Sequence, residues 1–485
     1  MHTLVTRSAV QALLVLVCSV CTACATTGGV YGEGEPVSIA EEAAPQEAPG
    51  APMETQREEG EVPLVVAESE HDGDGSPDDE LEEVIVEARA RDRHEVILDL
   101  VSEAKSILRE VELEYVFTGK GKRKVLRGRP VAFALWSEAK QDWSIAHVEI
   151  PRPPVKWRPG GKPISFIVRT PGIRARHVNG TGAERLMFAF SRDGEPLKVY
   201  GRKFPVFDSA LIAKKKWRAV VETAQPIVYL PFNEDTFDTL FVTGGKEFLL
   251  STARQAIEEL RLAHAPAVAF PGELLADVVP AEVLATLAVI EQTDDTDFVK
   301  KGAGAFDEVL SHYGLKREEA YRYSVSSASA LGPMQFTNRK NNGTYALVVR
   351  RCPAAKLDPD FERGATDLLN AMKAAICLFD IELSQMRSDI RLAYRDNSQV
   401  LGIFPVAAYN GGPRNVARLY GVMKRMGVKL EDLRRPGEQV QGKPVVCPCL
   451  WKEDATGIRP VAIPKYNREN RWYIEKYQSI LRVFE

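Results

Sequence analysis

The feature that most restricts the fold of this chain is a nearly unbroken apolar stretch, VLATLAVI, at residues 283–290. A helix that is apolar on every side must be surrounded by other protein, so the stretch predicts a buried helix. Residues spaced i, i+3, i+4 and i+7 share one face of that helix: Leu284, Leu287, Ala288 and Glu291. The helix therefore delivers the carboxyl group of Glu291 at its C-terminal end, where burial would favour the protonated form.

The length and charge of the chain limit its class. It has 485 residues, 45% of them hydrophobic and 27% charged, with a formal net charge of −4. The length is enough for more than one domain at roughly 100–200 residues each, and the apolar content excludes a wholly disordered chain. Because the charge is near neutral, we do not expect nucleic acid as a partner.

The first 24 residues are typical of an export signal. Arg7 precedes a short apolar core at residues 9–17, which is too short to span about 30 Å of hydrocarbon. The small residues before Cys24 resemble the end of a bacterial lipoprotein signal, although Cys21 replaces the usual Leu. We predict lipidation of Cys24, a membrane contact through that anchor, and a periplasm-facing place at the outer membrane of the cell envelope. A plain secretory signal is the alternative.

The composition then divides the remaining chain into three parts. Residues 25–90 are acidic, rich in Pro and Gly and poor in aromatic residues, which predicts a disordered tether. Residues 91–231 contain segments with helical and segments with strand-like spacing of apolar residues, which predicts an accessory domain of mixed helix and strand. Residues 232–485 have a predominantly helical pattern. The fold class predicted is therefore α+β.

Within the accessory domain, one helix is predicted at residues 96–113, and strands are predicted at 131–136, 146–150, 164–168, 187–190 and 197–200. Asp193-Gly194 between the last two strands indicates a hairpin turn. The helices predicted in the C-terminal part are 248–262, one that begins at Pro280, 366–383 and 468–485.

Three motifs follow Glu291 in a fixed order. They are YSVSSASALGPMQF at residues 323–336, VAAYNGG at 406–412 and RENRWYI at 468–474. Together with the preceding Glu, they resemble the soluble lytic transglycosylase family, which is related to goose-type lysozyme. Over residues 232–485 this resemblance implies a mainly α, lysozyme-like catalytic domain that acts on peptidoglycan.

The resemblance assigns roles to the first two parts of the pattern. Glu291 matches the single residue that acts first as acid and then as base. Ser326 and Gly332 match positions that line the glycan groove. Met334 matches a residue that packs on a sugar, and Gln335 matches one that hydrogen-bonds to it.

The later motifs supply the remaining roles. Tyr409 and Asn410 match the pair that orients the catalytic Glu and contacts the N-acetyl group of the substrate. Glu469 and Tyr473 match a terminal motif that supports the site. The resemblance implies peptidoglycan glycan strands as the partner and no cofactor or metal, and it names no protein partner.

The chain also departs from the family pattern. Gln292 stands where the family has Ser, Pro333 replaces Leu, Ser329 replaces Gly and Asn470 replaces Thr. The spacing between Glu291 and the Gly-Pro-Met-Gln turn is longer than usual, which indicates an insertion at about residues 298–321.

These departures leave alternatives open. The insertion carries Glu318 and Glu319, either of which could be the acid instead of Glu291. Three aspartates just after Glu291 could activate water, as in an inverting hydrolase: Asp294, Asp295 and Asp297. A glycan-binding envelope lipoprotein without activity is a further alternative.

Cysteine and histidine usage adds two expectations. The seven histidines show no metal-ligand spacing, so no zinc site is expected. Four cysteines follow the export signal, which predicts one or two disulfides in an oxidising compartment, with the pairing left open: Cys352, Cys377, Cys447 and Cys449.

Overall fold

The computed structural model of this chain describes residues 92–484 except 122–123, 154–160, 183, 231, 327–328, 339–341, 426–428, 434–438, 441–442, 445–450, 455–456 and 461–467. Side chains at 209, 432, 439–440, 443–444, 451–454, 457–460 and 468–469 also lie outside the description. The predicted export signal with Cys24, the predicted tether 25–90, Cys447 and Cys449 therefore fall outside the described residues.

The described residues form an α+β structure, with most strands first and most helices after them. The strands are β1 (Phe117–Thr118), β2 (Val125–Leu126), β3 (Gly128–Ser137), β4 (Asp142–Pro151), β5 (Ile167–Val168), β6 (Ile173–Asn179), β7 (Met187–Arg192), β8 (Glu195–Val206), β9 (Gln225–Tyr229), β10 (Gln439–Val440), β11 (Lys443–Pro444), β12 (Trp451–Asp454) and β13 (Gly457–Pro460).

The helices are α1 (Arg93–Glu110), α2 (Ser209–Ala213), α3 (Trp217–Glu222), α4 (Thr239–Leu262), α5 (Ala281–Gln292), α6 (Asp295–Lys301), α7 (Gly304–Lys316), α8 (Thr344–Arg351), α9 (Phe361–Thr366), α10 (Leu368–Ser384), α11 (Ser388–Asp396), α12 (Ser398–Leu401), α13 (Ile403–Gly411), α14 (Pro413–Arg425) and α15 (Arg468–Phe484). Short 3-10 turns occupy Glu234–Thr236, Leu275–Asp277, Arg317–Glu319, Pro353–Ala355 and Leu430–Asp432.

The main sheet is antiparallel and has seven strands in the order β5-β4-β3-β8-β7-β6, with β9 paired to β8. Four of the five predicted strands lie inside β3, β4, β7 and β8. The fifth, predicted at residues 164–168, is shortened to β5. Asp193 and Gly194 form the predicted turn between β7 and β8, and both have positive φ angles, which favour Gly and Asp.

Both faces of the central strand β3 are buried. Along β3, Phe133 and its neighbours at alternate positions pack against other aromatic side chains, whereas Ala132 and Ala134 face α1. The alanines leave room for the helix to approach closely. At Gly201 of β8, an added Cβ would lie 2.9 Å from Cδ1 of Leu108 on α1.

We call described residues 92–230 the sheet region and 232–484 the helical region. Both fall within one compact unit, Val86–Glu485. Contacts between them include Nε2 of His312 with the Leu230 carbonyl at 3.2 Å and the ion pair of Lys105 with Glu319 at 2.8 Å. The predicted domain boundary at 231/232 stays a prediction.

Two glycines allow α4 and α7 to cross with their backbones in contact. A Cβ added to Gly245 would lie 1.9 Å from the Leu310 carbonyl oxygen, and one added to Gly314 would lie 1.9 Å from that of Phe241. The predicted insertion at 298–321 contains α7, so it is a packed helix of the core rather than a surface loop.

Helix α5 confirms the prediction for residues 283–290. Pro280 precedes its first turn, and every residue from 281 to 290 is buried except Glu282. Helix α10 lies in the same core, and the disulfide between Cys352 and Cys377 joins it to the end of α8. This pairing accounts for two of the four cysteines considered above. No helix in the described part is both long and apolar enough to span a membrane.

Candidate functional site

The carboxyl group of Glu291 lies where the buried helix α5 ends, and helix α15 holds it there. Tyr473 on α15 donates a hydrogen bond from its hydroxyl to Oε1 of Glu291. Burial, the charge of Glu291 and this hydrogen bond raise the pKa of Tyr473 well above its ordinary value, so Tyr473 stays a donor.

Two further tyrosines lie within the electrostatic reach of Glu291. Burial and then the charge of Glu291 raise the pKa of Tyr409. The pKa of Tyr313 is raised by burial and then by the charges of Glu184 and Glu291. Helices α7, α13 and α15 thus each bring one tyrosine to this carboxyl group, and we call Glu291 with Tyr313, Tyr409 and Tyr473 the Glu291 site.

Gln292 ties this site to the turn at residues 332–335. Its Nε2 donates to the carbonyl oxygens of Gly332 at 3.2 Å and Pro333 at 2.8 Å. The hydroxyl of Tyr409 donates to the Met334 carbonyl at 2.7 Å. The end of α5, the end of α13 and the turn are therefore joined by hydrogen bonds. Together with the bond from Tyr473, these contacts connect all three motifs with the end of α5.

The orienting hydrogen bond differs from the prediction. The resemblance assigned the orientation of Glu291 to Tyr409, but the single proton of the Tyr409 hydroxyl goes to the Met334 carbonyl. Tyr473, expected only in a supporting role, makes the contact with Glu291 instead.

The turn at residues 332–335 depends on left-handed backbone conformations. Gly332 has φ +79°, and an added Cβ would lie 1.8 Å from the Ala365 carbonyl oxygen, so only glycine fits. Gln335 has φ 51° and donates from Nε2 to the Gly332 carbonyl at 2.8 Å and to Oγ of Ser324 at 3.2 Å. Ser329 also has a positive φ, 64°, where the family has Gly.

The prediction that Met334 packs on a sugar is wrong for this structure. Met334 is fully buried in the core of the helical region, because the turn directs its side chain inward. Its contribution to the site is the backbone carbonyl that accepts from Tyr409. Gly332 is also buried, so it shapes the turn and offers only backbone atoms.

The remaining predicted residues are placed as follows. Ser326 is half-buried, and its Oγ accepts from the backbone N–H of Ala330 at 3.0 Å, within the loop that precedes the turn. Asn410 is half-buried next to Tyr409 near the end of α13. Glu469 lies in the first turn of α15, with its side chain outside the described part.

Two of the three aspartates after Glu291 have structural partners, and the third, Asp297, lies in the first turn of α6. Asp294 caps α6 through the backbone N–H of Thr296 at 2.8 Å, and its Oδ2 lies 3.4 Å from Arg185. Asp295 accepts from Nζ of the buried Lys476 at 2.6 Å. Lys476 also donates to the Thr293 carbonyl at the C-terminal end of α5, where a cation is favourable.

The two glutamates of the insertion, Glu318 and Glu319, are both exposed. Glu319 pairs with Lys105 of α1 at 2.8 Å, on the side of the helical region that meets the sheet region. Both carboxyl groups therefore lie at the protein surface and not at the end of a buried helix.

Across the described ranges, no three Asp, Glu, His or Cys side chains converge as they would around a metal ion. A cavity of about 490 Å³ lies between α1 and the sheet, where it is lined by Trp136 and Tyr200 among others. It includes no residue of the Glu291 site.

No protein-family model, curated protein or solved structure matches this chain.

Sequence reasoning missed three residues that build the site. Gln292 had appeared only as a departure from the family pattern, yet it makes the link between α5 and the turn. Lys476 follows Tyr473 by three residues, a spacing that places both on one face of α15 and could have indicated a shared target. Tyr313 lies in the insertion, where no motif drew attention to it.

Proposed function

We propose that this protein is a lytic transglycosylase of peptidoglycan with a lysozyme-like, mainly α catalytic domain. It would cleave the β-1,4 bond between N-acetylmuramic acid and N-acetylglucosamine and leave a 1,6-anhydro ring on the muramic acid. The observation that carries the proposal is the fixed carboxyl group of Glu291, held by Tyr473 and linked through Gln292 to the turn at 332–335.

In the first step, the protonated carboxyl group of Glu291 gives its proton to the glycosidic oxygen. The bond from this oxygen to the anomeric carbon breaks, and N-acetylglucosamine leaves with a new hydroxyl group. The transition state has oxocarbenium character. The acetamido oxygen of the muramic acid closes on the anomeric carbon, so no second protein carboxylate is needed as nucleophile.

In the second step, the carboxyl group of Glu291 acts as a base. The ionised Glu291 removes the proton from the 6-hydroxyl group of the muramic acid. The 6-oxygen attacks the anomeric carbon, the acetamido oxygen is released, and Glu291 regains its proton. One carboxyl group serves both steps, in agreement with a site that places one carboxyl group among three tyrosines.

Two side chains of the motifs that are connected to α5 are suited to hold the N-acetyl sugars. The amide nitrogen of Gln335 is used inside the turn, and its Oε1 has no donor among the described residues, so it can accept from a sugar hydroxyl. Asn410 follows Tyr409 and carries an amide that can pair with the acetamido group. In this proposal the buried residues Gly332 and Met334 shape the groove without contacting the glycan.

The hydrolase alternative needs a carboxylate that activates water. Asp294 and Asp295 are engaged as a helix cap and as the partner of a buried lysine, which disfavours them as free bases. Of the three aspartates this leaves Asp297, in the first turn of α6, for that role. We favour the transglycosylase because it needs no second carboxylate.

Digestion of purified peptidoglycan sacculi, with mass spectrometry of the released fragments, tests the proposal. We expect 1,6-anhydro products from the wild-type protein. Reducing ends would indicate a hydrolase, and binding without release would indicate a glycan-binding protein.

The matched pair of variants is Glu291→Gln and Glu282→Gln, two carboxyl groups on the same helix. Loss of a general acid costs about 10²- to 10⁴-fold in rate. We expect this loss for Glu291→Gln and none for Glu282→Gln. Full activity of Glu291→Gln would assign the acid to another residue.

We also propose that the protein is an envelope lipoprotein, anchored through Cys24 to the periplasmic face of the outer membrane. More than one acyl chain is needed for a stable anchor. Metabolic labelling with palmitate should mark the wild-type protein, and the label should vanish in Cys24→Ala. A label that persists in Cys24→Ala would reject this site.

A further inference from the structure

One loop of the sheet region reaches the helical region beside the Glu291 site. Glu184 lies in this loop, just before β7. Its Oε2 accepts a hydrogen bond from the hydroxyl of Tyr229, and its Oε1 accepts from the backbone N–H of Tyr323 at 3.3 Å. The second contact crosses 139 positions of the sequence and joins the two regions at the start of the YSVSSASALGPMQF motif.

The loop that carries Glu184 is held firmly. Gly180 has φ +63°, and an added Cβ would lie 2.0 Å from the Arg185 carbonyl oxygen, so the chain doubles back tightly here. Nε2 of His177 lies 2.7 Å from the Gly180 carbonyl, and the buried Arg129 donates to the Thr181 carbonyl at 2.8 Å. The position of Glu184 is therefore set by the sheet.

Two buried cations lie near the Glu184 carboxylate. Arg202 has no exposed surface, and Nζ of Lys316 lies 2.7 Å from the centre of the Tyr229 ring. Burial raises the pKa of Glu184, while the charges of Lys316 and Arg202 act to lower it. Burial lowers the pKa of Lys316 well below its ordinary value, and the charge of Glu184 opposes that shift. Removing this carboxylate would leave the buried Arg202 without its nearby negative charge, which is costly.

From Glu184 the contacts continue into the turn. Tyr323 is followed by Ser324, whose carbonyl accepts from the N–H of Gly332 at 2.9 Å and whose Oγ accepts from Nε2 of Gln335 at 3.2 Å. Glu184 thus binds Tyr323, and the adjacent Ser324 holds both ends of the turn.

The neighbouring residue in the same loop contacts the other side of the site. Nη1 of Arg185 lies 3.4 Å from Oδ2 of Asp294, three residues after Glu291. This pair is largely exposed, so its own contribution is small. Adjacent residues of one sheet loop therefore contact the segment that leads into the turn at 332–335 and the segment that follows Glu291.

We propose that Glu184 is a positioning residue of the Glu291 site, through which the sheet region fixes Tyr323 and, by way of Ser324, the turn at 332–335. Its effect on glycan binding rests on the function proposed above, whereas its effect on the segment does not. In this proposal the sheet region helps to position the site and is not an independent domain.

Hydrogen exchange by mass spectrometry tests the structural part. In Glu184→Gln, one amide oxygen must replace two carboxylate oxygens, and the charge is lost. In Tyr229→Phe, one hydrogen bond to Glu184 is lost and the ring beneath Lys316 is kept. We expect amides within 324–336 to exchange about tenfold faster in both variants, because a buried polar contact is lost.

The control is Glu319→Gln, which removes an ion pair that joins the same two regions at 2.8 Å. Exchange within 324–336 should stay unchanged in this variant. Unchanged exchange in Glu184→Gln and Tyr229→Phe would overturn the proposal. If Glu184→Gln does not fold, the exchange rates of Tyr229→Phe alone decide whether the proposal holds.

Binding of sacculi separates this proposal from the proposed function. In a Glu291→Gln background, adding Glu184→Gln should weaken binding about tenfold, and adding Glu319→Gln should not. If Glu291→Gln binds no sacculi and the wild-type protein releases no fragments, the proposed function fails, and the exchange result still decides the role of Glu184. Binding unchanged by Glu184→Gln would reject its role in glycan binding.

Discussion

The hydroxyl of Tyr473 donates a hydrogen bond to Oε1 of Glu291, although the two residues are 182 positions apart. Helix α15 therefore closes the site that α5 begins. Lys476, one turn further along α15, binds the carbonyl group at the end of α5, so the same helix holds both the carboxyl group and the backbone beneath it.

This contact predicts the effect of Tyr473→Phe. After the first step the carboxyl group of Glu291 is ionised, and a hydrogen bond to a charged group contributes more than one between neutral groups. Loss of the Tyr473 bond should therefore lower the release of fragments from sacculi about tenfold. The control is Tyr477→Phe on the same helix, whose hydroxyl donates to the Gln399 carbonyl at 2.7 Å. Full activity of Tyr473→Phe would show that another contact orients Glu291.

Gln292→Ala should loosen the link between α5 and the turn at 332–335. Two hydrogen bonds from a half-buried amide are lost, so we expect the free energy of unfolding to fall by about 1 kcal/mol. KM should rise more than kcat falls, because the turn is proposed to bind the glycan. Urea denaturation and steady-state kinetics measure the two effects, with Gln255→Ala on the exposed side of α4 as control. A fall in kcat alone would contradict the proposed role of the turn.

Glu382 on α10 should make stability depend on pH. Burial raises its pKa from 4.5 to about 7, so the folded protein binds this proton more tightly than the unfolded chain does. The free energy of unfolding should therefore fall as the pH rises from about 4.5 to about 7, by about 3 kcal/mol at most from this residue.

Glu382→Gln should remove this part of the pH dependence. The variant should be more stable than the wild-type protein at pH 8 and of similar stability at pH 4, as measured by urea denaturation. Glu362→Gln on the exposed surface of α9 is the control and should follow the wild-type curve. Parallel curves for Glu382→Gln and the wild-type protein would contradict the prediction.

The disulfide between Cys352 and Cys377 closes a loop over a sequence separation of 25 residues. A loop of this size predicts a contribution of about 3 kcal/mol to the free energy of unfolding. The Cys352→Ala/Cys377→Ala double variant should lose this amount, and a reducing agent should lower the melting temperature of the wild-type protein only. An equal effect of reductant on both proteins would assign the stabilisation to other cysteines.

Much of the secondary structure follows from local patterns. The apolar run at 283–290 predicted α5 because nothing but a surrounding core can accommodate a helix without a polar face. Alternation and the Asp-Gly turn predicted β7 and β8, since a period of two and positive φ angles are local properties. The predicted strand at 164–168 was too long, because pairing with β4 involves only its last two residues.

The candidate site could be predicted only in part. The motifs brought Glu291, Gln335 and Tyr409 to attention, and the structure brings their segments together. The assignment of Met334 to a sugar was wrong because a turn decides which side chain points inward, and that depends on the φ angles of Gly332 and Gln335.

The sequence by itself determined the helix α5, the strands β3, β4, β7 and β8 and the order of the motifs, because these depend on neighbouring residues. Only the tertiary structure decided that Tyr473 and not Tyr409 donates to Glu291, that Gln292 holds the turn and that Glu184 reaches the site from the sheet region. Such contacts join residues that are 40 to 182 positions apart. They are set by how helices and strands pack, which no local pattern of residues encodes.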